Sequence, residues 1–213
     1  MVRKFSKDTR FLQCSTSELY GSTPPPQSES TPFHPRSPYG TAKLYAHWIV
    51  VNYRSAFGLH ASNGIMFNHE SPRRGSTFVT KKISEGVAKY LKFAAPLNLG
   101  NLDAVRDWGY AKEYVEAMWL MLQQEQPDDF VVGTGQTHSI KDFINYVSDV
   151  AGFNLMNHII VDEKYKRPSE VPLLLADPSK AKNKLGWHAK TTAKELAEIM
   201  YKADLAKEIK NVR

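Results

Sequence analysis

Residues 36–48 read RSPYGTAKLYAHW, a Ser-Pro pair followed by Tyr39 and Lys43 four positions apart. Ser37 has the chemistry of a helix N-cap. Pro38 suits the first helical position, where the N–H it lacks has no intrahelical partner. Gly58 stands just past the end of SPYGTAKLYAHWIVVNYRSAFG, where a left-handed cap is expected. The pattern predicts one long helix from Ser37 to Gly58. Residues i and i+4 share a helix face, so Tyr39 and Lys43 project together from its first turns. A free tyrosine phenol, with a pKa of about 10, is a poor base at neutral pH. A neighbouring ammonium favours the phenolate, and such a pair can remove and return the proton of a substrate hydroxyl. Tyrosine and lysine at this spacing also occur on ordinary surface helices, so the pair by itself leaves both readings open.

Upstream, RFLQCST (residues 10–16) is a short apolar run ending in small polar residues, the signature of a buried strand feeding a loop. The loop SELYGSTPPPQSESTPFHPR is too polar and too proline-rich to be core. Downstream, HASNGIMF is a second strand, NHESPRRGST a loop and TFVTKKISEGVAKYLKF an amphipathic helix. PLNLGN is a short strand, DWGYAKEYVEAMWLMLQQ a helix whose MWLM stripe reads as core, and DFVVGTG a strand. SIKDFINYVSDVAG opens with Ser139 and Asp142 at capping-box spacing and closes on Gly152, and HIIVD is a further strand. DPSKAKNKLGW is a compact helix, and the last helix starts at Thr192 with Glu195 three residues on. Strands alternating with helices predict an α/β fold built on a parallel sheet.

The chain of 213 residues, 42% hydrophobic and 23% charged, has the composition of a soluble globular protein. No apolar run approaches the roughly 18 residues of a membrane span, and the basic start MVRKFSKDTRFLQ lacks the apolar core of a secretory signal. A cytoplasmic protein is expected, and the single Cys14 fits a reducing compartment. The net charge of +6 raises the question of nucleic acid. Acidic residues are interleaved with the basic ones, as in KELAEIMYKADLAKEIK, and no arginine block or aromatic-glycine signature is present. A small anionic ligand such as a nucleotide accounts for the charge, and neither a nucleic-acid nor a membrane partner is expected.

Ligands of open parallel sheets bind beyond the carboxyl ends of the strands. CSTSELYG ends such a strand and brings a hydroxyl, Thr16, and a carboxylate, Glu18, to the crevice faced by Tyr39 and Lys43. Together STSELYG, SPYGTAKLYAHW, FNHESPRRG and LGNLDAVRDWGYAKEYVEAMW resemble the GDP-mannose 4,6-dehydratases, within the extended short-chain dehydrogenase/reductase family. The likeness runs from about Arg10 to the final helix. Related epimerases and reductases share the Tyr-Lys pair and generally lack a Thr-x-Glu in this place.

The resemblance implies the rear part of a Rossmann-type parallel sheet with helices, plus a smaller α/β substrate-binding domain. Residues 1–67 would belong to the NADP-binding domain and 68–213 mainly to the substrate domain, with about 104–138 returning to the sheet. It implies four catalytic residues: Tyr39 and Lys43 for the C4 hydroxyl proton, Thr16 hydrogen-bonded to that hydroxyl, and Glu18 to remove the C5 proton and assist loss of the C6 hydroxyl. Lys43, His69 and Arg74 would hold the NADP cofactor, with Arg73 beside them. Asn68, Val79, Lys82, Arg106, Arg167 and Glu170 would hold GDP-mannose, and the NHESPRRG loop would reach a second subunit of a homodimer or homotetramer.

Other signals are weaker. VVGTGQTHSIKDF has the look of a phosphate-binding turn but lacks the third glycine. The seven histidines show no close ligand spacing, and with one cysteine a zinc site is not expected. No G-x-S-x-G elbow or P-loop is present. The sequence departs from the family at its front, where Gly21 is the first glycine and no G-x-x-G-x-x-G turn precedes RFLQCST. Two consequences are expected: an uncovered strand edge and weakened hold on the cofactor pyrophosphate. A truncated, non-catalytic nucleotide-sugar binder and another nucleotide-sugar epimerase or reductase remain as alternative readings.

Overall fold

The computed structural model describes residues 2–93, 96–165, 171 and 173–210, with the backbone only at 90–93. A short helix α1 (Val2–Phe5) leads to β1 (Phe11–Cys14), a single 3-10 turn at Ser17–Leu19 and the long α2 (Pro38–Phe57). β2 (Ala61–Met66) and β3 (Asn68–Glu70) precede α3 (Val79–Phe93). Three short strands, β4 (Leu97–Leu99), β5 (Val105–Arg106) and β6 (Trp108–Tyr110), run into α4 (Ala111–Gln123). β7 (Asp129–Val132), β8 (His138–Ser139), α5 (Ile140–Ala151) and β9 (Ile159–Val161) follow, and α6 (Ser179–Leu185) and α7 (Ala193–Lys210) close the chain.

The principal sheet has the order β1-β2-β7, parallel throughout, with Gln13 opposite Asn63 and Gly64 opposite Phe130. All six residues of β2 are buried, as expected of a strand covered on both faces. Strand alternation sorts its side chains. Ala61 meets Val50 of α2, while Met66 packs with Tyr114, Ala117 and Met121 of α4 and with Leu185 of α6. A polar network pins the first face. Asp129 accepts a fork from Arg54 at 2.8 and 2.9 Å and further bonds from the Asn63 backbone and side-chain amides. Burial pushes the Asp129 carboxyl up, but the Arg54 guanidinium more than offsets this and holds it below the usual range.

The second hydrophobic core lies among α3, α5 and α7, where Ile83, Val87, Phe143, Ile144, Val147, Leu196 and Met200 interdigitate. Short parallel pairs β3-β6 and β4-β9 and an antiparallel pair β5-β8 connect this region to the sheet. The architecture is thus α/β around a parallel sheet, as the alternation of elements predicts. No helix among the described residues is long and apolar enough to cross a membrane.

The caps stand where the sequence puts them. The Ser37 hydroxyl accepts from the Gly40 amide, and Gly58 caps α2 in the left-handed region at φ 63°. Ser139 and Asp142 form a reciprocal capping box, and Thr192 and Glu195 exchange bonds at the start of α7. Three readings need correction. Asn68–Glu70, expected as loop, is a strand in register with Trp108–Tyr110. The helix expected from Asp107 therefore begins only at Ala111. The apolar periodicity continues back through Trp108, but pairing with β3 and burial of the indole override it. The MWLM stripe is only partly core: Met121 is fully buried and Trp119 is 60% exposed.

Candidate active site

The carboxyl ends of β1 and β2 open into a cavity of about 820 Å³. The loop after β1 contributes Thr16 and Glu18, and the first turn of α2 contributes Tyr39. The segment after β2 contributes Asn68, His69 and Arg74, α3 contributes Val79 and Lys82, and β5 contributes Arg106. These nine residues, singled out from sequence on scattered segments, line one wall or another of a single cavity. Lys43 is not part of the lining, yet its ammonium lies 5.8 Å from the centre of the Tyr39 ring and donates to the Cys14 carbonyl at 2.9 Å. The i, i+4 spacing and the end of β1 thus fix Lys43 beside Tyr39. Arg167 and Glu170 lie outside the described residues. Arg73 is exposed on the loop beside Arg74 and is not part of the cavity wall.

Thr16 is buried and caps the 3-10 turn, its hydroxyl accepting from the Glu18 amide at 3.3 Å. This local bond sets the direction of the turn that carries the Glu18 carboxylate into the cavity. Tyr39, 55% exposed, lines the same cavity. Thr16, Glu18 and Tyr39 therefore line one volume, with the Lys43 ammonium beside the Tyr39 ring.

The deeper wall is held by more contacts. His69 Nδ1 lies 2.8 Å from the Phe67 carbonyl, which can only accept, so Nδ1 carries the proton and Nε2 is an acceptor. Burial lowers the His69 pKa, against the Phe67 hydrogen bond, which raises it. The imidazole is thus neutral at pH 7. Its ring stacks on Tyr114 of α4 at 5.1 Å. Tyr114 occupies that place because residue 109 is glycine: a Cβ there would collide with the phenol ring. Arg74 pairs with the buried Glu70 at 3.0 Å, and its guanidinium lies 3.5 Å from the centre of the Phe78 ring. Thr80 donates to the same Glu70 oxygen at 2.6 Å. Burial raises the Glu70 pKa, and Arg74 and Thr80 pull it back. Lys82 lies over the Tyr165 ring at 4.5 Å.

Sequence reasoning missed Glu70 and Thr80 in the cavity wall, Tyr114 behind it, and also Asp107. Glu70 and Arg74 are four apart, but on a segment read as loop, where helical spacing carries no signal. Asp107 is fully buried and accepts from the Thr134 amide and hydroxyl, the Gly135 amide and the Ala176 amide. The GTG turn that imitates a phosphate cradle is therefore filled by the protein's own carboxylate. Nothing in the local sequence announces a partner 27 residues away.

The family model for GDP-mannose 4,6 dehydratase matches residues 1–200. The chain is 53% identical over 197 residues to GDP-mannose 4,6 dehydratase 1 of Arabidopsis thaliana, covering 92% of this chain and 55% of that protein. It is 52% identical to the GDP-mannose 4,6 dehydratase of Homo sapiens, covering 92% of this chain and 58% of that protein. For the enzyme of Vibrio cholerae the figures are 48%, 93% and 61%. The chain therefore spans little more than half the length of these relatives. Among solved structures, RMD from Pseudomonas aeruginosa complexed with NADPH superposes with a TM-score of 0.83 at 22% identity, covering 92% of this chain and 67% of that one. A dTDP-glucose 4,6-dehydratase from Bacillus anthracis in complex with NAD gives 0.85 at 20%, covering 100% and 67%. These structures share the fold, and the sequence matches carry the family: the chain belongs to the GDP-mannose 4,6-dehydratases.

Proposed function

We propose that this chain carries the catalytic and sugar-nucleotide side of a dehydratase that converts GDP-mannose to GDP-4-keto-6-deoxymannose and water. The observation that carries this reading is the convergence of Thr16, Glu18 and Tyr39 on one cavity, with Lys43 beside Tyr39. Tyr39, as phenolate beside the Lys43 ammonium, takes the proton of the C4 hydroxyl, and Thr16 hydrogen-bonds the same oxygen. Once C4 is a ketone the C5 proton is acidic. Glu18 takes that proton and hands it to the C6 hydroxyl, which leaves as water. When C6 is then reduced, C5 takes up one proton, balancing the one Tyr39 removed from the C4 hydroxyl, so both residues return to their starting states. A nicotinamide cofactor, NADP in this reading, supplies the hydride acceptor for C4 and the hydride donor for C6. Lys43, His69 and Arg74 would hold it. Two cations and one uncharged acceptor suit ribose hydroxyls, phosphate oxygens and a carboxamide.

Asn68, Val79, Lys82 and Arg106 would take the sugar nucleotide, together with Arg167 and Glu170. In this reading residues 1–67 form the cofactor side and 68–213 mainly the substrate side, with about 104–138 returning to the sheet. Self-association as a homodimer or homotetramer is part of the proposal. It is supported by the apolar face of α2, where Tyr45, Trp48, Ile49 and Phe57 are exposed. A cytoplasmic location is proposed on the single cysteine, which fits a reducing compartment.

A second reading is nucleotide-sugar binding without turnover by the part of the protein these residues span. The purified chain, incubated with NADP and GDP-mannose, decides between them. Product that has lost one water by mass spectrometry supports the dehydratase. Calorimetric binding of GDP-mannose without product supports the second reading, and neither binding nor product overturns both. If turnover occurs, Glu18→Gln abolishes water elimination. Retained product formation in that variant would point instead to an epimerase or reductase.

A further inference from the structure

The loop that carries Arg73 and Arg74 is tied to the far end of the chain. Lys81 and Asp204, on α3 and α7, are both almost fully buried and form an ion pair in the packed interior. The Lys81 ammonium also donates to the Pro72 carbonyl at 2.9 Å. Asp204 accepts from the Ser84 hydroxyl at 2.6 Å and from Lys207, whose ammonium reaches the same Pro72 carbonyl at 3.4 Å. Farther along the loop, Ser76 donates to Glu85 of α3 at 3.1 Å. Two lysines thus grip the carbonyl immediately before Arg73, and a carboxylate on α7 grips both lysines.

An ion pair taken out of water costs desolvation that its own attraction barely repays, so stability alone does not explain it. A charged donor held rigidly on a backbone carbonyl does fix a loop's path. We propose that Lys81 and Asp204 are positioning residues for the arginine loop, fixing the entry to the turn in which the Arg74 amide donates to the Ser71 carbonyl at 2.9 Å. Through that turn they aim the Arg74 guanidinium at the cavity. The consequence for ligand binding rests on the reading that Arg74 faces a ligand, whereas the anchoring itself does not.

The test replaces the pair by apolar residues of similar size, Lys81→Met/Asp204→Leu, an exchange that is commonly neutral for stability. Amide hydrogen exchange then reads the loop directly. The Arg73 and Arg74 amides should exchange about ten-fold faster or more, while the Phe67 amide, bonded to Val132 within the sheet, keeps its wild-type rate. If the double variant does not fold, Asp204→Asn, which keeps volume and an acceptor, is measured in its place and should show the same selective change. Unchanged exchange at Arg73 and Arg74 in a folded variant overturns the proposal. Where wild type binds NADPH or GDP-mannose, the double variant should bind about ten-fold more weakly with an unchanged melting midpoint. A wild type that binds neither ligand refutes the ligand reading and leaves the exchange result to decide the anchoring.

Discussion

The two sides of the cavity are built on opposite plans. The corner formed by Thr16, Glu18, Tyr39 and Lys43, to which the acid-base chemistry is proposed to belong, has sparse support. Thr16 and Lys43 each make one bond to backbone, and Tyr39 is half exposed. The wall formed by His69, Glu70, Arg74 and Thr80 is tied down from several directions. His69 has a carbonyl on one nitrogen and a phenol against its ring, and Glu70 has both an arginine and a threonine. Proton-transferring groups must meet the substrate and stay accessible to it, so they cannot be fully engaged with protein. Groups that orient a ligand are effective only when held in place beforehand. Substitutions on the first side should therefore change rate without stability, and those on the second should change stability as well.

The largest effect expected is on the first side. In a preparation that turns over GDP-mannose, Tyr39→Phe should lower kcat by about 10²–10⁴-fold while the urea midpoint stays at the wild-type value. A shifted midpoint would break the comparison, because it would show the phenol to be structural. On the second side, Glu70→Ala strips the buried partner from Arg74 and should cost about 3 kcal/mol of unfolding free energy, read by urea denaturation. Loss of less than about 0.5 kcal/mol would place Glu70 with ordinary surface residues.

A pH series sharpens the same contrast from outside the cavity. Asp129, held below its ordinary value by Arg54, binds more protons unfolded than folded in the acidic range. Its stabilisation is complete above the ordinary aspartate value of about 3.8 and is lost as pH falls through the lower folded one. Asp129→Asn should be less stable at pH 7 and show a flatter decline below pH 4 than wild type. The smallest effect belongs to the exposed outer lysine of the loop anchor. Lys207→Ala should change the unfolding free energy by less than about 0.5 kcal/mol, since Lys81 keeps the Pro72 carbonyl.

Much of the site was legible because its signals are local. Ser37, Pro38 and Gly58 delimit α2, and the four-residue spacing alone puts Lys43 beside Tyr39. The short polar segment after β1 could be read as the place where Thr16 and Glu18 enter the crevice. What escaped depends on partners distant in sequence. Asp107 looked like the first residue of a helix and is the buried carboxylate that closes the GTG turn. Trp108 fits the helical period and is nevertheless a strand residue, because Asn68–Glu70 offers it an edge to pair with. Trp119 belongs by periodicity to an apolar stripe, yet it stands on the outer side of α4.

By itself the sequence determined the alternation of strands and helices, the caps that end them, and the family to which STSELYG, SPYGTAKLYAHW and NHESPRRG point. Each of these is written in residues a few positions apart, within reach of one turn or one hydrogen bond. Only the tertiary structure decided that burial pushes the His69 pKa down with Nδ1 on the Phe67 carbonyl, that Glu70 holds Arg74, and that α7 grips the loop through Lys81. Those facts depend on burial and on partners brought together by packing, and the cost of leaving a buried charge or amide unpaired is set by the whole fold.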